Sequence, residues 1–295
     1  MYQSDLDLPW PNFFIVGATR SGTTSLYEYL NHPPEVFMSS IKEPAFFSVS
    51  INRRKPIQNK EEYLKLFSKA RIDQPIGEAS TRYLIDPKSA AMIKDHVPKA
   101  KIIISLRDPV ERAFSSYLYY LIREKKEPFN IIMEKSMKTD LNDDYLLYLV
   151  IKGGMYYEQV KRYIEIFGND SVKIIFFEEF ISDVRNQFKD ILKFLGVESE
   201  PPEIVNTVFN EYKKPKNKIS KFLLSFDDFV WKMGIKSVLP LPNRKNLESR
   251  FLKSAKKPIM SKEERLRLID YYQDDVKKLR ELLQRNLPWK NFHEI

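Results

Sequence analysis

The sequence contains no cysteine and only three histidines in 295 residues. The first absence excludes a disulfide framework, a thiol nucleophile and any cysteine-ligated metal. The second argues against a zinc centre, since no two histidines stand at ligand spacing. His32, just ahead of Pro33-Pro34, reads as structural. Long apolar runs are missing too. Leu146 to Ile151 is a representative short one, and nothing approaches the roughly 18 apolar residues of a membrane-spanning helix. The first strand starts by Phe13, so no cleaved leader or anchor is expected, and the chain reads as soluble and cytoplasmic. No internal repeat is visible. The length suits one large α/β domain, alone or with an appendage, with a sizeable core.

Acidic residues are scarce in one stretch. Between residues 213 and 257 thirteen lysines and arginines stand against three acids, which accounts for all of the formal net charge of +9 and leaves the rest of the chain close to neutral. Such a segment can meet nucleic acid, an acidic membrane surface or an anionic small molecule. For most of these lysines a solvated surface is the simpler reading.

The chain is organised around Phe13-Phe14-Ile15-Val16-Gly17-Ala18-Thr19-Arg20-Ser21-Gly22-Thr23-Thr24-Ser25-Leu26. An apolar strand stops at Gly17, small polar residues follow, and a helix with Leu26, Tyr27 and Leu30 on one face runs to Asn31. A strand, a glycine-bounded turn and a helix N-terminus form an anion cradle, because the first N–H groups of the helix are unpaired and the helix dipole adds to them. The glycines have the spacing of a phosphate-binding loop, but Thr23 stands where a nucleotide triphosphatase carries lysine. The cation is Arg20 instead. A tight turn that uses Gly and Ser for geometry alone is the bland alternative.

A second strand, Ile102 to Leu106, is apolar on both faces and ends in Arg107-Asp108-Pro109. Asp108 reads as an N-cap, Pro109 as the first helical residue and Glu111 as the partner in a capping box. That leaves Arg107 free to meet an anion, with Ser115 two turns into the helix on the face that can turn back toward it. Asp108 as a magnesium-binding Walker B carboxylate is the less economical alternative. Between the two strands, Pro44 pushes Glu43 out of helical geometry onto an extended loop. The Lys42-Glu43 pair is a candidate for chemistry, or an ordinary surface ion pair. Asp86-Pro87 is expected to open a helix, Gly153-Gly154 to form a hinge or helix stop, and Ser261-Lys262-Glu263-Glu264 to cap a long helix with Leu266, Ile269, Tyr272, Val276, Leu279 and Leu283 buried. Alternating strands and helices predict a parallel sheet flanked by helices.

Together these stretches resemble the sulfotransferases that use 3′-phosphoadenosine 5′-phosphosulfate (PAPS), nearest to the bacterial members and the carbohydrate, heparan-type branch. Gly17 to Ser25 is similar to the loop that holds the 5′-phosphosulfate, and Ile104 to Ser115 to the 3′-phosphate motif. Lys42-Glu43-Pro44-Ala45-Phe46-Phe47 is similar to the segment carrying the catalytic base, and Gly77 to Tyr83, Gly154 to Tyr156 and the tail from Leu268 to Trp289 fall where the family has like stretches. The resemblance implies a P-loop-type parallel sheet over residues 1–295 as one domain, with the basic segment at 213–257 as a lid or insertion. It implies PAPS held by Arg20, Ser21, Gly22, Thr23, Thr24 and Ser25 at one end and by Arg107 and Ser115 at the other, with Lys216 and Lys218 closing over the 3′-phosphate side. Glu43 would be the base and Arg20 would stabilise the leaving phosphate, with no metal. A sulfonate carries less negative charge than a terminal phosphate and needs less neutralisation.

The departures are informative. Arg20 replaces a lysine common in the family, keeping the charge and gaining a planar fork. Ala79 stands where the carbohydrate enzymes carry an acceptor-side lysine, which argues against a heparan-type acceptor. The implied partner is a small-molecule or saccharide acceptor, anionic if the basic segment borders the cleft, and not nucleic acid. Tyr83, Tyr119 and Tyr120 can stack on a sugar or fill the core, and core is the simpler reading. A P-loop kinase or other nucleotide triphosphatase, and a non-catalytic binder of acidic polymers, are the rival readings.

Overall fold

Strand β1, Phe13–Gly17, is buried at all five positions. Phe14 and Val16 enter one apolar cluster and Phe13 and Ile15 another. A strand apolar on both sides needs helices on both sides. The computed structural model, which describes residues 8–51, 57–123, 127–206, 213–215, 252–254 and 258–293, has that architecture. A five-stranded parallel sheet runs β2 (Phe37–Met38), β3 (Ile76–Ala79), β1, β4 (Lys101–Leu106), β5 (Val172–Phe176). The helices are α1 (Thr23–Leu30), α2 (Lys60–Lys65), α3 (Arg82–Ile85), α4 (Ser89–His96), α5 (Pro109–Arg123), α6 (Phe129–Lys138) and α7 (Tyr145–Ile151). They continue with α8 (Tyr157–Phe167), α9 (Phe177–Ser182), α10 (Val184–Leu195) and α11 (Lys262–Leu283). α1 and α10 cover the Phe13 face, while α4, α5, α8 and α11 cover the Phe14 face. A short antiparallel pair, Lys213–Pro215 with Leu252–Ser254, stands apart from the sheet.

Strand order decides where a ligand can sit. After β1 the chain lays β2 and β3 on one side, then crosses to place β4 and β5 on the other. The connections leaving β1 and β4 therefore diverge, opening a crevice at the carboxyl ends of the strands, where ligands of open α/β sheets bind.

Two local expectations need correction. Asp86 does not open α4. It ends α3, and its carboxylate accepts from Ser48 Oγ (3.0 Å) and the Ser50 and Lys88 N–H groups (2.9 and 3.0 Å), tying down the 48–50 loop. Its burial makes it an anchor between segments. On α11 the Ser261–Glu264 capping box is present, but Leu266 points to solvent and Leu268 takes the core position. Gly153 and Gly154 do stop α7, which ends at Ile151, and they are also a packing device. They form a tight turn against the buried Arg112 guanidinium, and a Cβ on either would come within 3.1 Å of it. Arg112 donates to the carbonyls of Leu149, Val150 and Ile151 (2.9, 2.8 and 3.1 Å), the acceptors that the end of α7 leaves unpaired.

Candidate active site

The turn after β1 is pinned to its neighbour: the Ala18 N–H donates to Ser105 O (2.7 Å) and Ser105 Oγ donates to Ser21 O (2.5 Å). Gly22 sits at φ 82°, and a Cβ there would lie 2.8 Å from the Phe177 ring, so glycine is required on both counts. Helix α1 then begins with no side-chain cap and no acid in its first turn. Its positive end is not offset by its own residues, as an anion cradle requires. Thr23 is buried and Thr24 and Ser25 are part-buried at this end. The Ser21 N–H donates to Ala18 O (3.3 Å) and closes the turn. Thr19 Oγ1, also on the turn, is buried without a hydrogen-bond partner among the described residues.

The two stretches expected to bind anions converge. Arg20, at φ 70°, donates through Nε to Ser115 Oγ on α5 (3.1 Å), and its guanidinium lies 5.3 Å from the Tyr119 ring centre. Arg107 leaves β4 and donates through Nη1 to Arg20 O (3.3 Å), with its guanidinium 4.8 Å from the Phe177 ring centre. Its Nε is buried without a hydrogen-bond partner among the described residues, a donor left for a ligand. Asp108 is occupied as the cap of α5. Oδ1 accepts from the Val110 and Glu111 N–H groups (2.9 and 3.3 Å) and Oδ2 from Asn291 Nδ2 (2.7 Å). The capping box is not closed: the Asp108 N–H donates to Glu178 Oε1 (3.0 Å), and Glu111 pairs with Arg265 of α11 at 2.7 Å.

Glu43 reaches the same edge from the loop after β2. Its backbone is left-handed at φ 65° rather than extended, and Ala45 follows at φ 54°. Such conformations cost about 1–3 kcal/mol each and persist where the surroundings over-determine them. Here they do. The Glu43 N–H donates to Ala79 O (2.9 Å), Ala45 N–H to Ser80 Oγ (3.0 Å) and Phe47 N–H to Tyr83 Oη (3.3 Å). The carboxylate accepts from the Thr81 N–H (2.9 Å) and Thr81 Oγ1 (3.0 Å) and pairs with Lys42 (3.0 Å), while remaining one-third exposed. A held, solvent-reachable carboxylate can accept a proton.

Comparison with known proteins decides the family: a family model described as a sulfotransferase domain matches residues 11–232. The chain belongs to the sulfotransferase family. It is 26% identical over 257 residues to carbohydrate sulfotransferase 15 of Mus musculus, covering 67% of this chain and 46% of that one. It is also 26% identical over 294 residues to the human bifunctional heparan sulfate N-deacetylase/N-sulfotransferase 2, covering 93% of this chain and 30% of the relative. It spans less than half the length of either relative. A crystal structure of a sulfotransferase from Alicyclobacillus acidocaldarius superposes with a TM-score of 0.71 at 29% identity, covering 95% of this chain and 98% of that one. No helix among the described residues is long and apolar enough to cross a membrane.

Within this sulfotransferase fold Arg20, Ser115 and Arg107 meet at one place, and Glu43 stands at the carboxyl edge of the same sheet. Lys216 and Lys218 lie outside the described residues. Tyr83 is core, whereas Tyr119 lies against Arg20. Sequence reading passed over the role of Glu78. Its fully buried carboxylate accepts from Tyr63 Oη, Tyr83 Oη and Ser80 Oγ, each at 2.7 Å. The signal was a lone glutamate inside an apolar strand. Burial pushes Glu78 up to about 7 from 4.5, against the pull of the three hydroxyls. The folded protein therefore holds a proton that the unfolded chain has released. Its contribution is full below pH 4.5, is lost as pH rises toward about 7, and weakens by about 1.4 kcal/mol per pH unit in that window. Glu78→Gln, which mimics the protonated group, is expected to flatten this part of a urea-unfolding pH series. Parallel curves for parent and variant would contradict the assignment.

Proposed function

We propose that the chain transfers the sulfuryl group of PAPS to a hydroxyl or amine of a small-molecule or saccharide acceptor, with Glu43 as the base. The observation that carries this reading is the contact between the two anion-binding motifs. Arg20 bonds the Ser115 hydroxyl and Arg107 bonds the Arg20 carbonyl, so both ends of a doubly phosphorylated nucleotide can be held by one connected surface. The orphaned Arg107 Nε and Thr19 Oγ1 fit an anionic guest. The names of the carbohydrate and heparan sulfate relatives support a saccharide acceptor.

When bound, PAPS supplies a sulfuryl group whose departure leaves negative charge on the 5′-phosphate, through a loose in-line transition state like that of phosphoryl transfer. Arg20, the N–H groups of Gly22, Thr23 and Thr24, and the Thr23 and Thr24 hydroxyls hold that phosphate, with Ser21 and Ser25 shaping the loop around it. Arg107 and Ser115 hold the 3′-phosphate and so separate this nucleotide from ordinary adenine nucleotides. Glu43 accepts the acceptor's proton as it attacks sulfur. The whole chain acts as one domain in this reading, with the 213–257 segment as a lid that places Lys216 and Lys218 over the 3′-phosphate side.

The direct test is a screen of sugars, lipids, phenols and amines for transfer of labelled sulfate from PAPS. Stabilisation by 3′-phosphoadenosine 5′-phosphate (PAP) but not by Mg-ATP is expected in thermal unfolding. The reverse would favour a kinase or triphosphatase, and salt-sensitive polymer binding without transfer would favour a non-catalytic binder. Arg107→Ala is expected to weaken PAP binding by about 1.5–3 kcal/mol, on the order of 10- to 100-fold. Adenosine 5′-phosphosulfate, which lacks the 3′-phosphate, should be affected little. Equal losses for the two ligands in calorimetric titrations would overturn the role of Arg107.

A further inference from the structure

We propose that Thr81 is the positioning residue of the base, fixing the Glu43 carboxylate from the end of β3. This rests on Glu43 being the base, as argued above. Thr81 grips both carboxylate oxygens: its N–H donates to Oε2 at 2.9 Å and its hydroxyl donates to Oε1 at 3.0 Å. Lys42 also reaches Oε1, but it is the neighbouring residue on the same loop and cannot register that loop against the sheet. Thr81 can. It is nearly buried at 9% exposure and directly precedes α3. The same β3 terminus holds the loop backbone on either side of Pro44 through Ala79 O and Ser80 Oγ.

The scaffold behind Thr81 is held by a buried hydrogen-bond network. Glu78 fixes the Ser80 hydroxyl and the Tyr83 hydroxyl, and each of these in turn receives an N–H of the Glu43 loop. Backbone contacts thus set where the loop lies, and Thr81 alone among the described β3 contacts sets where the carboxylate points. A side chain on a flexible stem at the left-handed Glu43 backbone has several rotamers open to solvent. Two hydrogen bonds from one rigid residue select one of them.

Thr81→Val keeps the volume and the N–H and removes the hydroxyl, so the fold and PAP binding should persist. The expected result, for the acceptor with highest turnover in the PAPS screen, is a kcat lower by on the order of 10- to 100-fold. KM values for PAPS and acceptor should stay within about twofold, with most of the lost kcat recovered by Thr81→Ser. In a Glu43→Gln background the same change should slow the reaction no further than about twofold, since the two residues act as a unit. Crystals of Thr81→Val should show the Glu43 carboxylate turned out of place on an unmoved 43–47 loop. A Thr81→Val protein with parental kcat and an unmoved carboxylate overturns the proposal while an inactive Glu43→Gln leaves the base assignment standing. An active Glu43→Gln removes both.

Discussion

Glu43→Gln is expected to lower kcat for sulfuryl transfer by about 10²–10⁴-fold, the usual worth of a positioned general base, with PAP affinity unchanged. The substitution keeps the shape and removes the capacity to take a proton, together with the charge that pairs with Lys42 and one of the two acceptor oxygens that Thr81 grips. Its contacts support that reading. The Thr81 N–H and hydroxyl donate to a carboxylate that is still one-third exposed, so the group is oriented without being sealed off from an acceptor. The left-handed backbone at Glu43 and Ala45 adds to this, since strain of that kind is kept where the placed side chain has a task. Single-turnover transfer of labelled sulfate from PAPS, with calorimetric titration of PAP as the control, measures both halves. A variant that transfers at near-parental rate would remove Glu43 from the mechanism.

Arg112→Met should lower the unfolding free energy by about 3–5 kcal/mol, the range for breaking a buried charged network. Arg112 is fully buried, and its guanidinium spans the Ser116 hydroxyl and three backbone carbonyls at the end of α7. Its positive charge is offset by the negative end of that helix. Methionine fills much of the volume but leaves those carbonyls in the core with fewer donors, Tyr272 Oη on Ile151 O among the few that remain (2.7 Å). Lysine should rescue poorly, because three divergent acceptors match a planar fork and not a single ammonium. Urea unfolding followed by circular dichroism reads the loss, and a change below about 1 kcal/mol would mean that water replaces the arginine. The effect reaches the site through α5, which carries both Arg112 and Ser115.

Some residues were legible because their roles depend on near neighbours. The apolar run at Phe13–Gly17 with the glycine-bounded turn, the Asp108-Pro109 helix start and the Ser261–Glu264 capping box are each set within a few residues, and each is found as expected. Asp86 misled for the opposite reason. Its Asp-Pro signal is local, but its carboxylate is drawn across the chain to Ser48 and Ser50. Leu266 misled although Tyr272, Val276 and Leu279 on the same expected face are buried, because the first turns of α11 present Leu268 and not Leu266 to the core.

By itself, then, the sequence determined a parallel α/β sheet, a glycine-bounded strand-to-helix turn carrying Arg20, a second basic strand end at Arg107 and a glutamate beside a proline at 43. Only the tertiary structure decided that Arg20 meets Ser115 across 95 residues, that Thr81 clamps Glu43 across 38, and that Asp275 caps Tyr156 across 119. The physical reason is range. Turn geometry and capping are paid within one peptide neighbourhood, whereas these contacts depend on the lateral order of the strands, which is set by how the whole apolar surface packs on both faces of β1.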